Sequence, residues 1–102
     1  EFWVLLLNQA TKLIDKVRIS TGGIDGTYTD VRTILREALL QRATQIAVVH
    51  NHPSGSTYPS ENDLRFTEKI KRSCDDLGIV FLDHIIVGKK EYYSFREETD
   101  LV

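Results

Sequence analysis

The apolar run Gln45–Val49 (QIAVV) stops on His50-Asn51-His52-Pro53, and this junction constrains the fold more than any other stretch. A short run of this kind, bounded by turn residues, reads as a buried strand. Pro53 carries no N–H and cannot continue a sheet ladder, so the strand ends at the margin of its sheet. In extended backbone, positions i and i+2 share a face. His50 and His52 therefore converge on one point just beyond that margin. Pro53, Gly55 and Pro59 keep 50–59 irregular. Ser60-x-x-Asp63 then opens a helix expected over Glu61–Leu77, with Gly78 as its stop. A strand, a loop and a helix in this order can bring the helix's first turn back over the strand end.

The rest of the chain supplies a frame for that junction. Phe2–Leu7 and Leu13–Ser20 read as a hairpin around the turn residues Asn8–Lys12, with Leu13, Ile14, Val17 and Ile19 apolar among polar residues in the second strand. Thr21–Asp30 holds three glycines and reads as a loop ending on a helix N-cap at Asp30. Val31, Ile34, Leu35, Ala38 and Leu39 follow as one helical stripe, and Leu64, Thr67, Ile70, Cys74 and Leu77 form another in the second helix. Ile79–Val87 is strand-rich, Gly88–Glu91 is a turn, and Tyr92–Phe95 closes a last hairpin. The expected order is β-β-α-β-α-β-β. It implies an α/β fold with a mixed sheet flanked by helices in two or three layers.

Length and composition narrow the class. The 102 residues are expected to form one domain, 1–102. No apolar run approaches the ~20 residues that cross a bilayer, and FWVLLL is too short and lacks a basic leader, so neither a membrane partner nor a secretory signal is expected. Cys74 is the sole cysteine, which excludes an internal disulfide and points to a cytoplasmic location. A net charge of −2 argues against a chain whose main work is gripping nucleic-acid phosphates.

A catalytic zinc site takes about three protein ligands and keeps one position open. Two imidazoles need a third ligand, and Asp63, eleven residues past His52, is the nearest candidate. Ser60 and Asp63 also suit a capping box, and an acid in a first helical turn suits the helix dipole, so a metal site and an ordinary cap are both open here. Ser54 and Gly55 suit a turn. His-Glu-x-x-His is absent, and the lone Cys74 excludes the paired cysteines of a zinc deaminase.

The spacing His50-x-His52, seven residues, Ser60, two residues, Asp63 resembles the JAMM signature of the JAB/MPN metalloprotease fold. HNHPSG, then PSEND, then LDHIIVG, with ISTGGIDGTYTDVRTILREAL upstream, is similar to the RadC branch of that fold. The resemblance implies a cytidine deaminase-like mixed sheet and one zinc per chain on His50, His52 and Asp63. It implies a peptidase or isopeptidase using activated water, with Glu1 as general base and Ser60 stabilising the oxyanion. Glu37 and Glu61 are the alternatives for the base. Ser54 and His84 are candidates for a shell behind the ligands, though a histidine inside an apolar strand is commonly structural. The implied substrate is a peptide or protein of unknown identity. Two other functions compete. One is a DNA-repair or recombination accessory role, with DNA binding or nuclease activity, leaning on Arg65, Lys69, Lys71, Arg72, Lys89 and Lys90. The other is a non-catalytic MPN interaction module, which relatives of that kind reach by losing ligands retained here.

Overall fold

The computed structural model of the chain describes residues 1–19 and 30–102. The glycine-bearing loop expected at 21–30, apart from Asp30, and the expected strand end at Ser20 lie outside the described residues. Five strands form one mixed sheet in the order β2-β1-β3-β4-β5. These are β1 (Phe2–Leu7), β2 (Leu13–Arg18), β3 (Gln45–His50), β4 (Val80–Val87) and β5 (Tyr92–Ser94). The expected β1–β2 hairpin forms, and β1 also pairs antiparallel with β3. β3 and β4 are parallel, which requires a crossover rather than a tight turn. Helix α2 (Glu61–Leu77) is that crossover.

Alternation along β1 buries Phe2, Val4 and Leu6 and leaves Trp3, Leu5 and Leu7 half-buried. The register places Phe2 beside His50, Val4 beside Val48 and Leu6 beside Ile46. Helix α1 (Val31–Leu40) packs Val31, Ile34, Leu35 and Ala38 into the same core, and α2 adds Phe66, Ile70 and Cys74. Full burial of such side chains stabilises by about 1.5–3 kcal/mol each relative to exposure. Asp30 caps α1 as expected, its carboxylate accepting from Arg32 N at 2.9 Å. Gly78 closes α2 at φ 72°, in the left-handed region where glycine is favoured.

Three expectations need correction. Leu39 does not join the stripe of α1; it is exposed. The buried face of α2 is Asp63, Phe66, Thr67, Ile70 and Cys74, while Leu64 is half-buried and Leu77 exposed. Thr67, Ile70 and Cys74 belong to both faces, and the turn brings in the polar Asp63 together with Phe66. Finally, the last strand stops at Ser94. The Ser94 hydroxyl accepts from Glu97 N at 3.1 Å and starts a short helix, α3 (Phe95–Glu98).

One irregularity positions the site. The β3–β4 register runs from Ile46 opposite Phe81 to Ala47 opposite Asp83, leaving Leu82 as an extra residue. Such a bulge reverses which side chains face the core. Before it the core residue is Phe81; after it the core residues are His84 and Ile86. Asp83 instead accepts from Ser94 Oγ and from Arg96 N, anchoring the start of α3.

Candidate metal centre

β3 ends on His50, and α2 begins with Ser60 as its N-cap. The capping box is complete: Ser60 Oγ accepts from Asp63 N at 3.1 Å, and Ser60 N donates to Asp63 Oδ2 at 2.7 Å. These bonds turn the carboxylate back toward the strand end. There, His50 Nε2 lies 3.3 Å from Asp63 Oδ1 and His52 Nε2 lies 2.7 Å from Asp63 Oδ2. The cap and the convergence of the imidazoles coexist, because Oδ2 takes both the Ser60 N–H and the His52 ring while Oδ1 faces His50.

His84 joins them, its Nε2 3.1 Å from His50 Nδ1 and its Nδ1 2.6 Å from Thr67 Oγ1. Aromatic rings enclose the group. Phe95 stacks on His84 at 4.6 Å, Phe66 meets it edge-on, and Phe2 stacks on His50 at 5.5 Å. Asp63, Thr67 and His84 are fully buried. Burial chiefly lowers the His50 pKa to about 4, and the neighbouring His52 adds to the effect. Burial likewise lowers His84 to about 2, helped by His50 and His52. Desolvation raises Asp63, partly opposed by the Ser60 N–H. Both effects disfavour the charged forms.

The donor inventory shows what the cluster lacks. Ser56 C=O can only accept, so its 2.9 Å contact with His52 Nδ1 puts the proton on Nδ1. A neutral His52 then turns a lone pair toward Asp63 Oδ2. Among the described residues, Asp63 Oδ1 is a buried oxygen with no hydrogen-bond donor. Imidazole nitrogens face a buried carboxylate across 2.7 Å and 3.3 Å. Such a group is completed by a shared proton or by a cation, and two imidazole nitrogens with one carboxylate oxygen suit a divalent transition metal. By distance alone, His50, Asp63 and His84 each offer a ligand atom within 4.8 Å of the others. That trio contains His84 in place of the expected His52, yet His52 makes the shorter contact with the carboxylate, and His84 stands behind His50.

Over residues 1–100 the chain matches the family model for the RadC-like JAB domain. The chain belongs to the RadC-like JAB domain family. It is 54% identical over 97 residues to a UPF0758 protein of Streptococcus uberis, covering 95% of this chain and 43% of that protein. To a UPF0758 protein of Streptococcus suis it is 51% identical over 98 residues, covering 96% and 40%. The chain thus spans about two fifths of the length of these relatives.

Other residues of this RadC-like domain stand further from the carboxylate. Glu1, His50 and His52 line one cleft of about 540 Å³, with Trp3, Val49, Val87 and Lys89 among its walls. The Glu1 carboxylate is exposed there, and its Oε1 lies 3.7 Å from Arg18 Nε. Arg18 pairs with Trp3 in the β1–β2 register, so Glu1 points to the Trp3 side rather than the Phe2–His50 side. Ser54 Oγ accepts from Ser56 N at 3.3 Å, a turn contact in the loop whose Ser56 carbonyl holds His52. Gly88 backs that loop: a Cβ there would lie 2.8 Å from Thr57 Cγ2 and 3.2 Å from Gly55 O. Glu37 pairs with Arg36 and Glu61 with Arg65, each within its own helix. Lys71 is matched by Asp75, so two of the four α2 cations offered for phosphate contact are already paired. No helix among the described residues is long and apolar enough to cross a membrane.

Sequence reasoning missed Thr67 as a site residue and treated it as part of an apolar stripe. The available signal was its place one helical turn after Asp63, where it accepts a core position without an apolar side chain.

Proposed function

We propose that this RadC-like JAB domain is a zinc-dependent hydrolase centre of the JAMM type, acting on peptide or isopeptide bonds. The observation that carries the reading is the convergence of His50 Nε2 and His52 Nε2 on the two oxygens of the buried Asp63 carboxylate. His50, His52 and Asp63 would hold the ion, with His84 behind His50. Zinc bound there supplies Lewis-acid activation of water at neutral pH. The chain's own residues do the rest. Ser56 C=O orients His52, and Ser60 N–H orients Asp63. The Ser60 hydroxyl hydrogen is left to donate to a developing oxyanion, because its oxygen serves the cap as an acceptor. Glu1 lines the same cleft as the two histidines and would act as general base after its carboxylate turns off Arg18. The cleft falls within the ~300–1,000 Å³ typical of ligand pockets, and its Trp3, Val49 and Val87 walls suit apolar side chains of a peptide.

The test is metal analysis of purified protein together with cleavage of a mixed peptide library. About one zinc per chain and zinc-dependent cleavage are expected. Glu1→Gln should keep the zinc and lose cleavage by the roughly 10²–10⁴-fold typical of a general base. Iron in place of zinc, or protein that takes up no metal, would overturn the reading. An unimpaired Glu1→Gln enzyme would move the base to another residue.

Ser60 separates the two jobs of the cap. Ser60→Ala should cost about 1 kcal/mol of stability through the lost cap while leaving zinc affinity intact, since the backbone N–H still holds Asp63. Urea denaturation and chelator competition on the same variant check both parts.

A further inference from the structure

We propose that Thr67, acting through His84, sets the tautomer of His50 and so decides whether its Nε2 can serve as a metal ligand. The direction of the hydrogen-bond chain follows from its far end. Thr67 Oγ1 lies 2.8 Å from Asp63 C=O, which can only accept, so the hydroxyl donates its single hydrogen there. The same oxygen lies 2.6 Å from His84 Nδ1. With its hydrogen spent, Thr67 accepts, and His84 carries its proton on Nδ1. A neutral His84 then offers Nε2 as an acceptor to His50 Nδ1, 3.1 Å away. His50 therefore also carries its proton on Nδ1. Its Nε2 faces Asp63 Oδ1 at 3.3 Å as a lone pair. One carbonyl of α2 thus fixes the proton positions of two successive rings.

The surroundings leave the chain little latitude. Phe95 stacks parallel to His84, with 8° between the planes, and Phe66 meets the same ring edge-on. Thr67 and His84 are both 0% exposed, so bulk water does not compete for these bonds. Ser56 C=O fixes His52 in the same Nδ1–H form. Both imidazoles are thereby pre-set by acceptors behind them, a role that outer partners of metal-bound histidines commonly fill. Thr67 and His84 are positioning residues. The tautomers stand on the hydrogen-bond geometry alone, while their consequence for zinc rests on the hydrolase reading above.

The experiment is long-range ¹H–¹⁵N correlation on zinc-free, ¹⁵N-histidine-labelled protein, which reads the tautomer of each of its three histidines. His50 and His84 should both be Nδ1–H. Thr67→Val keeps the shape and removes the acceptor. His84 and His50 should then shift toward Nε2–H, and zinc affinity by chelator competition should fall roughly 10–100-fold. Thr67→Ser should restore both. An Nε2–H form of either ring in the wild-type protein overturns the proposal, as does a Thr67→Val protein with unchanged tautomers and affinity. If Thr67→Val fails to fold, the wild-type spectrum and Thr67→Ser decide. If the wild-type protein binds no zinc, the hydrolase reading falls and the spectra still judge the relay.

Discussion

Asp63→Asn is expected to lose zinc and keep its fold. The substitution preserves shape but removes the charge that two imidazoles address, at 3.3 Å and 2.7 Å. The loss of affinity should exceed the roughly 10–100-fold that removal of a mere outer partner costs. His52→Ala should do the same, since it deletes the ring nearest the carboxylate. Stability moves differently. Asp63 is a fully buried carboxylate whose oxygen Oδ1 has no donor, so the metal-free protein already carries a desolvation cost that Asn relieves. The metal-free variant should therefore be no less stable than wild type by more than the ~1 kcal/mol of a weakened cap. With free zinc at about 100 times its Kd, wild type should gain about 2.7 kcal/mol and Asp63→Asn nothing. Urea denaturation with and without zinc measures all four values. An Asp63→Asn protein that keeps zinc and loses only cap stability would reduce the site to a helix cap.

The metal-free protein should also be acid-labile well above the range in which ordinary carboxylates titrate. His50 is held at about 4 against an ordinary 6.5. Between those values the unfolded chain binds a proton that the folded protein refuses, so stability falls as pH falls through the window. At about pH 4.5 this group alone removes roughly 2–3 kcal/mol. His84, lowered to about 2, acts with the same sign and extends the loss further into acid. Asp63 acts with the opposite sign. Its raised pKa lets the folded state keep a proton that the unfolded chain releases above 3.8, which offsets part of the loss on acidification. Urea unfolding in a chelator at about pH 7 and pH 4.5 compares the two conditions. A flat stability across that interval would show that neither ring is held neutral by burial.

Much of this was legible in the sequence because it depends on local rules. The end of β3 ahead of Pro53, the convergence of His50 and His52, the cap at Ser60 and the stop at Gly78 each follow from a few neighbouring residues. The turned face of α2 was not legible. Apolar periodicity selected Leu64 and Leu77, whereas the chain buries Asp63 and Phe66 beside the expected Thr67, and the Asp63 carboxylate faces His50 and His52 from another element. His84 was ambiguous for a related reason. Its role depends on Thr67, seventeen residues earlier, and on His50, thirty-four residues earlier. Glu1 shows the opposite case. A resemblance pointed to it as a base, and the strand places it at the cleft with its carboxylate toward Arg18.

The extra residue Leu82 gives the domain a dependence on counting. Phe81 and His84 share a face only because an odd number is added between them. Were β4 to pair with β3 residue for residue while keeping Leu82, every ligand, cap and aromatic ring would still be encoded, yet Asp83 and His84 would exchange their inward and outward places. The relay to His50 would vanish, and an acid would take its place among phenylalanines. In descendants of such a chain, a change that flattened this bulge while keeping its residues would be as costly to the centre as the loss of a ligand, though no ligand had changed.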